Sequence, residues 1–401
     1  MGIAWKELHP VVKIVLIGSL LMNIGNGMIV PYFAIYLGEH TNLSITQIGF
    51  LIGTSSLAAM FGGFLGGSLS DLIGRKKVMI ASLFLSACIL IGFTFHFFPI
   101  LLMLVTIFKG FSMSLFEPCA KALLADFTES HKRLSVFSMK YFCGNVGFAI
   151  GPIIGTIWGL QATSVVPFYI SFAIFLLFGM FLHLFFWKYK ITTISEQKEK
   201  VTFRASIKAV LSDKVLFLFL IGGLLATTVH GQFSVTLSQY FNLDVKSALS
   251  YLGVLWSAHS AVIILLSVPV VRMMERRTPL QSIIIGKSLF IVGIIGFGFS
   301  MNFPTFLLSM IIFTIGEIFL IPAEYAIIDE ITPEHIRGTY YGAVSFTSLG
   351  SFIGPGLSGL FLTMFNGMIM FLFLAIIALM SIAFYVWGIR VKGERSTNMI
   401  Q

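Results

Sequence analysis

Long apolar runs separated by short polar breaks occupy nearly the whole of this 401-residue chain. About 20 apolar residues in a helix suffice to cross the roughly 30 Å hydrocarbon core of a bilayer. Charges and turn residues delimit twelve such runs: 11–37, 46–70, 77–96, 98–125, 134–160, 165–188, 213–240, 247–271, 280–300, 303–328, 338–364 and 367–390. The one long polar connection, 189–212, parts the sixth run from the seventh. The pattern predicts an all-α integral membrane protein of twelve transmembrane helices. One six-helix bundle is expected at 1–188, a cytoplasmic linker at 189–212 and a second bundle at 213–401. The run from Val11 past Leu37 exceeds a signal-peptide core and reads as the first span.

Composition agrees: 57% of residues are hydrophobic and mean hydropathy is +0.95, against roughly 45–50% apolar residues in soluble domains. Short cytoplasmic loops carry the excess of Lys and Arg. With both termini inside a cell membrane, 20 of the 26 Lys and Arg fall on the cytoplasmic side, five (Lys13, Lys109, Lys121, Lys140 and Lys287) within spans, and Lys246 outside. Topology thus accounts for the net charge of +9, and no nucleic-acid partner is expected. Cys88, Cys119 and Cys143 lie in apolar runs without paired spacing, so neither a disulfide framework nor a metal site is expected. There is no G-x4-G-K-[ST] loop for a nucleotide, and no nucleophile or carboxylate cluster at one membrane face that would make an enzyme.

The halves resemble each other. With Pro118 laid on Pro322, an offset of 204 places Ala122 on Ala326, Asp126 on Glu330, Arg133 on Arg337 and Asp71 on Glu275; one residue of slip then aligns "GFAIGP" (147–152) with "GSFIGP" (350–355). A common offset over three regions predicts two homologous bundles related by a pseudo-two-fold axis along the membrane normal, the usual setting of a substrate path.

The loop between the second and third runs carries Gly67, Leu69, Asp71, Gly74, Arg75 and Lys76. It resembles the G-x-L-x-D-R-x-G-R-[RK] element of the major facilitator superfamily, with Leu72 in place of the first arginine. Gly147, Gly151, Pro152 and Gly155 are similar to that family's antiporter-type helix element, Thr156 standing where a last glycine is usual. "GNGMIVPYFAIYL" and "LFEPCAKALLADF" look like the first and fourth helices of its twelve-span multidrug-resistance-type exporters. The resemblance implies secondary active transport by alternating access: proton-coupled antiport that exports a small-molecule drug or metabolite. It implies no cofactor beyond an ion gradient, H⁺, and no partner beyond substrate and bilayer, the chain acting as a monomer. Export of one endogenous compound, such as a metal-chelating metabolite or a lipid, and uptake by symport or facilitation are the alternatives. It also implies that Asp71, with Gly74 and Arg75, latches one orientation against the amino end of the eleventh helix around Arg337 and Gly338. In the fourth helix Lys109 precedes Gly110, and Thr106 stands where many proton-coupled exporters carry arginine.

An ionised group at mid-membrane costs about 2.5–3.5 kcal/mol on insertion scales, so it faces a partner or a wet cavity. The family's cavity is lined by helices one, four, seven and ten, which makes Glu317 and Glu117 the candidates for proton coupling. Glu117 alternatively pairs with Lys121 one turn on. Lys109 either meets substrate or balances Glu117, and Glu324, near the cytoplasmic end, reads as snorkelling or loop-bonded. His230 and His259 can titrate near neutral pH or serve as hydrogen-bonded structure. Asn23, Asn26, Tyr32 and Gln239 suit substrate hydrogen bonds or bonds between helices.

Overall fold

The computed structural model describes residues 5–29, 33–43, 45–95, 98–158, 164–189, 203–230, 237, 240–241 and 251–398, and these contain helices and turns but no strand. The helices are α1 (Pro10–Ile29), α2 (Phe33–His40), α3 (Ile45–Ile73), α4 (Arg75–Gly92), α5 (Pro99–Asp126), α6 (Arg133–Trp158), α7 (Val166–Lys188), α8 (Phe203–Ser212), α9 (Lys214–His230), α10 (Tyr251–Met274), α11 (Pro279–Phe299), α12 (Phe303–Ile331), α13 (Arg337–Val344), α14 (Leu349–Met364) and α15 (Gly367–Asn398). Eight are long and apolar enough to cross a membrane among the described residues. The other expected spans fall on α4, which opens with three basic residues; on α6, diluted by glycine and polar residues; on α9, described over 17 residues; and on α13–α14, parted by a 3-10 turn at Ser345–Ser348. The last helix runs eight residues past the expected 390, because nothing in its polar end breaks it.

The chain forms two compact units, Trp5–Ala209 with Thr332–Ser345, and Val210–Ile331 with the segment from Phe346 onward. In the first unit glycines set helix spacing. Without a hydrophobic drive between helices in lipid, close backbone approach at small residues supplies packing energy. The interleaved glycines of α3 serve two neighbours. Gly62 and Gly66 face the backbone of α5 at Phe111 and Leu115, while Gly63 and Gly67 face Ser345 and the Gly338 and Gly342 backbone of α13. Gly147, Gly151 and Gly155 form the seam between α6 and α1; a methyl group on Gly151 would lie 2.6 Å from Ile24 O and 2.8 Å from Gly27 Cα.

The second unit combines glycine seams, Gly286 and Gly316 facing backbone between α11 and α12, with aromatic packing. Phe290, Phe297, Phe306, Phe313 and Phe371 belong to one buried cluster drawn from α11, α12 and α15. Phe290 and Phe313 have ring centroids 4.3 Å apart, within the range of favourable aromatic pairs. α11 starts with a full capping box, in which Thr278 Oγ1 accepts from Gln281 N at 3.2 Å and Gln281 Oε1 from Thr278 N at 3.1 Å.

A Gly151→Ala substitution should destabilise the protein by about 1–3 kcal/mol, because backbone on both sides of the seam must give way. Gly356→Ala, on α14 with nothing within 4 Å of the added methyl, should be neutral or stabilising by up to about 1 kcal/mol. Thermal melting of the two purified variants in detergent checks the contrast.

Candidate functional site

In the second unit α12 presents Glu317 to histidines from two other helices. His230 Nε2, at the end of α9, lies 3.0 Å from Glu317 Oε1, and His259 Nε2, on α10, 3.7 Å from Oε2. Glu317 is buried, with 4% of its surface exposed. Rings enclose the group: Phe290 and Phe313 flank His230, and Trp256 meets His259 edge-on at 5.2 Å. Thr314, one turn before Glu317, fixes the state of His259. Its hydroxyl donates to Met310 O at 2.7 Å, so toward His259 Nδ1, 2.9 Å away, it has only a lone pair to offer. Nδ1 therefore carries a hydrogen. In a neutral imidazole Nε2 then carries the lone pair, on the side of the ring that faces Glu317 Oε2 at 3.7 Å. Three residues that the sequence nominates separately are one cluster.

Seven residues along α12 lies a second buried group. Glu324 Oε1 is 3.4 Å from Lys287 Nζ on α11 and accepts from the Tyr385 hydroxyl of α15 at 3.0 Å. Lys287 is 2% exposed and sits over the Tyr385 ring. Glu324 is thus an interhelical ion-pair residue, correcting its reading as a snorkelling or loop-bonded group; α11 brings the lysine to it, which spacing along one helix could not reveal.

In the first unit Glu117 accepts from Lys140 Nζ, on α6, at 2.6 Å. The nearest cation thus comes from a neighbouring helix, where the sequence suggested Lys121. Lys109 lies over the Phe33 ring at 4.4 Å, nearly buried, and meets no carboxylate among the described residues. It does not balance Glu117. Thr106 donates its hydroxyl back to Leu102 O. Asn23 Nδ2 donates to Ser19 O at 2.7 Å beside the Gly147 seam, and Asn26 is half-buried on α1. Tyr32 and Gln239 lie outside the described residues.

The charged loop forms the densest network, all of it within the first unit. Gly74, the one glycine described with positive φ (102°), turns α3 directly into α4. The corner places Asp71 and Arg75 3.7 Å apart. Asp71 accepts from Gly338 N at 3.0 Å and from Thr339 N and Oγ1 at 2.6 and 2.8 Å, capping the first turn of α13. Free N–H groups and the helix dipole make that end favourable for an anion. Arg75 donates to Ala122 O and Glu334 O and pairs with Asp126. Arg337 reaches the other oxygen of Asp126 at 2.9 Å. Arg75 is 0% exposed, so of the "RKK" run it belongs to the network, while Lys77 stays exposed. Two carboxylates and two guanidiniums balance. Asp126, Thr339, Lys140, Lys287, Thr314 and Tyr385 were not nominated by sequence as site residues; the place of Asp126 in the internal repeat was the available signal.

A family model described as Major Facilitator Superfamily matches residues 15–348 and 233–400. The chain belongs to that superfamily. Its similar relatives include the uncharacterized MFS-type transporter YqjV of Bacillus subtilis (31% identity; 90% of this chain, 88% of that protein). A Na⁺, Li⁺, K⁺/H⁺ antiporter of Planococcus maritimus is 24% identical (87% and 89%), and the quinolone resistance protein NorA of Staphylococcus aureus 26% (84% and 86%). Among solved structures, a bacterial homologue of the iron transporter ferroportin aligns with a TM-score of 0.78 at 13% identity, over 95% of this chain and 99% of that one. That likeness shows the fold. Superfamily membership makes this a membrane-spanning transporter of the twelve-helix, two-domain fold rather than an enzyme.

The Lys287–Glu324 pair yields a stability test. Lys287→Met leaves the partly buried Glu324 carboxylate without its cation and should cost about 1–3 kcal/mol, whereas the double variant Lys287→Met/Glu324→Gln should recover most of it. A double-mutant cycle of melting temperatures reads the coupling.

Proposed function

We propose that this transporter is a proton-coupled antiporter that exports small molecules by alternating access, with Glu317 as its proton-binding carboxylate. The observation that carries the reading is a buried carboxylate, Glu317, with two titratable imidazoles as neighbours, His230 Nε2 at 3.0 Å and His259 Nε2 at 3.7 Å. When the proton is present the cluster is satisfied; when it leaves, carboxylate and imidazole repel, and a cationic or hydrogen-donating substrate compensates. Proton and substrate then favour opposite exposure of the site. A membrane potential supplies about 2.3 kcal/mol per charge per 100 mV, enough to drive export without a nucleotide. The names of two relatives, a cation/H⁺ antiporter and a quinolone resistance protein, support antiport and efflux.

In this reading the chain works as a monomer in the cell membrane with both termini in the cytoplasm, and needs no cofactor beyond the proton gradient. The Asp71 network acts as the latch of one orientation, because it gives that orientation a cap on α13 that must be broken to leave it.

Glu317→Gln in proteoliposomes should abolish transport driven by a pH gradient while sparing substrate exchange at equal concentrations; unchanged gradient-driven transport would remove Glu317 from coupling. Asp71→Asn should slow turnover about tenfold or more, since a hydrogen bond to a charged group contributes about 1.5–3 kcal/mol to one of two states. Substrate Kd, read by thermal shift, should move far less than turnover.

A further inference from the structure

Three arginines gather where α10 ends. Arg272, in its last turn, and Arg276 and Arg277, in the turn that follows, line a cavity of about 510 Å³ together with Met273. Arg277 Nη1 donates to Met273 O at 2.7 Å, which fixes it at the rim. Arg272 and Arg276 are exposed, and among the described residues neither meets a carboxylate or a hydrogen-bond acceptor. Glu275 lies in the same turn, so the cluster carries three guanidiniums against one carboxylate, and the excess presents forked donors that match phosphate oxygens two at a time.

The same helix supplies an apolar track leading to them. Val254, Ala261, Leu265 and Arg272 follow one another at spacings of seven, four and seven, so they share a face of α10. Val254 and Leu265 are 53% and 72% exposed, and Met273, beside the arginines, 47%. From Leu265 to Arg272 the helix rises about 10 Å. An exposed apolar stripe ending in an excess of guanidiniums is the complement of an amphiphile, apolar along its length and anionic at one end.

We propose that the end of α10 is a binding site for one anionic phospholipid, its phosphodiester held by Arg272, Arg276 and Arg277 and its acyl chains laid along Leu265 and Val254. Charge selects against zwitterionic lipid, because a choline headgroup would bring a cation among three others. The apolar track selects against a free phosphate, which has nothing to place there. Basic pockets at the ends of membrane helices recognise anionic headgroups on this principle.

Native mass spectrometry of the full-length protein in detergent tests the site, with phosphatidylglycerol and phosphatidylcholine of equal chain length as probes. The wild type should retain phosphatidylglycerol in preference. R272Q/R276Q should weaken that retention roughly tenfold or more, the loss expected from removing two cations at a headgroup. K76Q/K77Q, which removes the same charge elsewhere, should leave it intact. R272K/R276K keeps both charges and should lose part of the preference with the forked donors. Equal retention by wild type and R272Q/R276Q, or of the two lipids by the wild type, would overturn the proposal. Displacement by glycerol 3-phosphate at the lipid's own concentration would also overturn it, in favour of a soluble phosphate ligand.

Discussion

Closed off from water, the Asp71 carboxylate must find donors within the protein, and it finds them at the first turn of a helix 267 residues away in sequence. Three hydrogen bonds from Gly338 and Thr339 and the guanidinium of Arg75 meet that need. Arg75, itself fully buried, then requires acceptors, which Asp126 and the carbonyls of Ala122 and Glu334 supply. Arg337 completes the balance from the far side of Asp126. Each charge is tolerated because the next is present, and the chain of dependence ties Thr332–Ser345 into the unit formed by Trp5–Ala209. The two faces of α3 make the approach possible, since a side chain at Gly67 would occupy the position of the Gly338 backbone.

Elsewhere the same constraint is met pair by pair. Glu117 has Lys140 and Glu324 has Lys287 with Tyr385, the lysine being buried in each pair. A buried pair of this kind adds little net stability over well-packed apolar residues, yet losing one member is costly. Such pairs therefore fix which helices are neighbours more than they deepen the fold. Glu317 differs, because its partners are imidazoles, which gain and lose a proton in the pH range of a cell. Static neutrality serves the other carboxylates; the proposed antiport requires a proton-dependent one.

Both units are spaced by glycine, and the second adds a cluster of phenylalanines to its seams, two solutions to packing in lipid. Where backbones touch, as along Gly147, Gly151 and Gly155, each added methyl meets backbone that can shift little. Around Phe290 and Phe313 the two devices meet, since the backbones of these residues press on Gly316 and Gly293 while their rings pack together. The glycine-proline element that resembles the family's antiporter helix is thus, in this chain, the α1–α6 seam.

Much of the architecture was legible before any coordinates. Hydropathy fixes helices because a backbone in hydrocarbon has no other way to satisfy its polar groups, and the 204-residue repeat follows from duplication written directly into the chain. The loop motif pointed to Asp71, Arg75 and Arg337, since few residue types can make a charged corner after a glycine-rich helix. Pairing was not legible. Spacing along one helix suggested Lys121 for Glu117, which does act on it, but not the closer Lys140, and it suggested a loop for Glu324, whereas Lys140 and Lys287 arrive from neighbouring helices. Glu317, His230 and His259 each stood alone in the sequence, 29 to 87 residues apart. Interactions within a helix are set by a period the sequence contains; interactions between helices depend on which faces pack and at what height, and only the tertiary structure decides that.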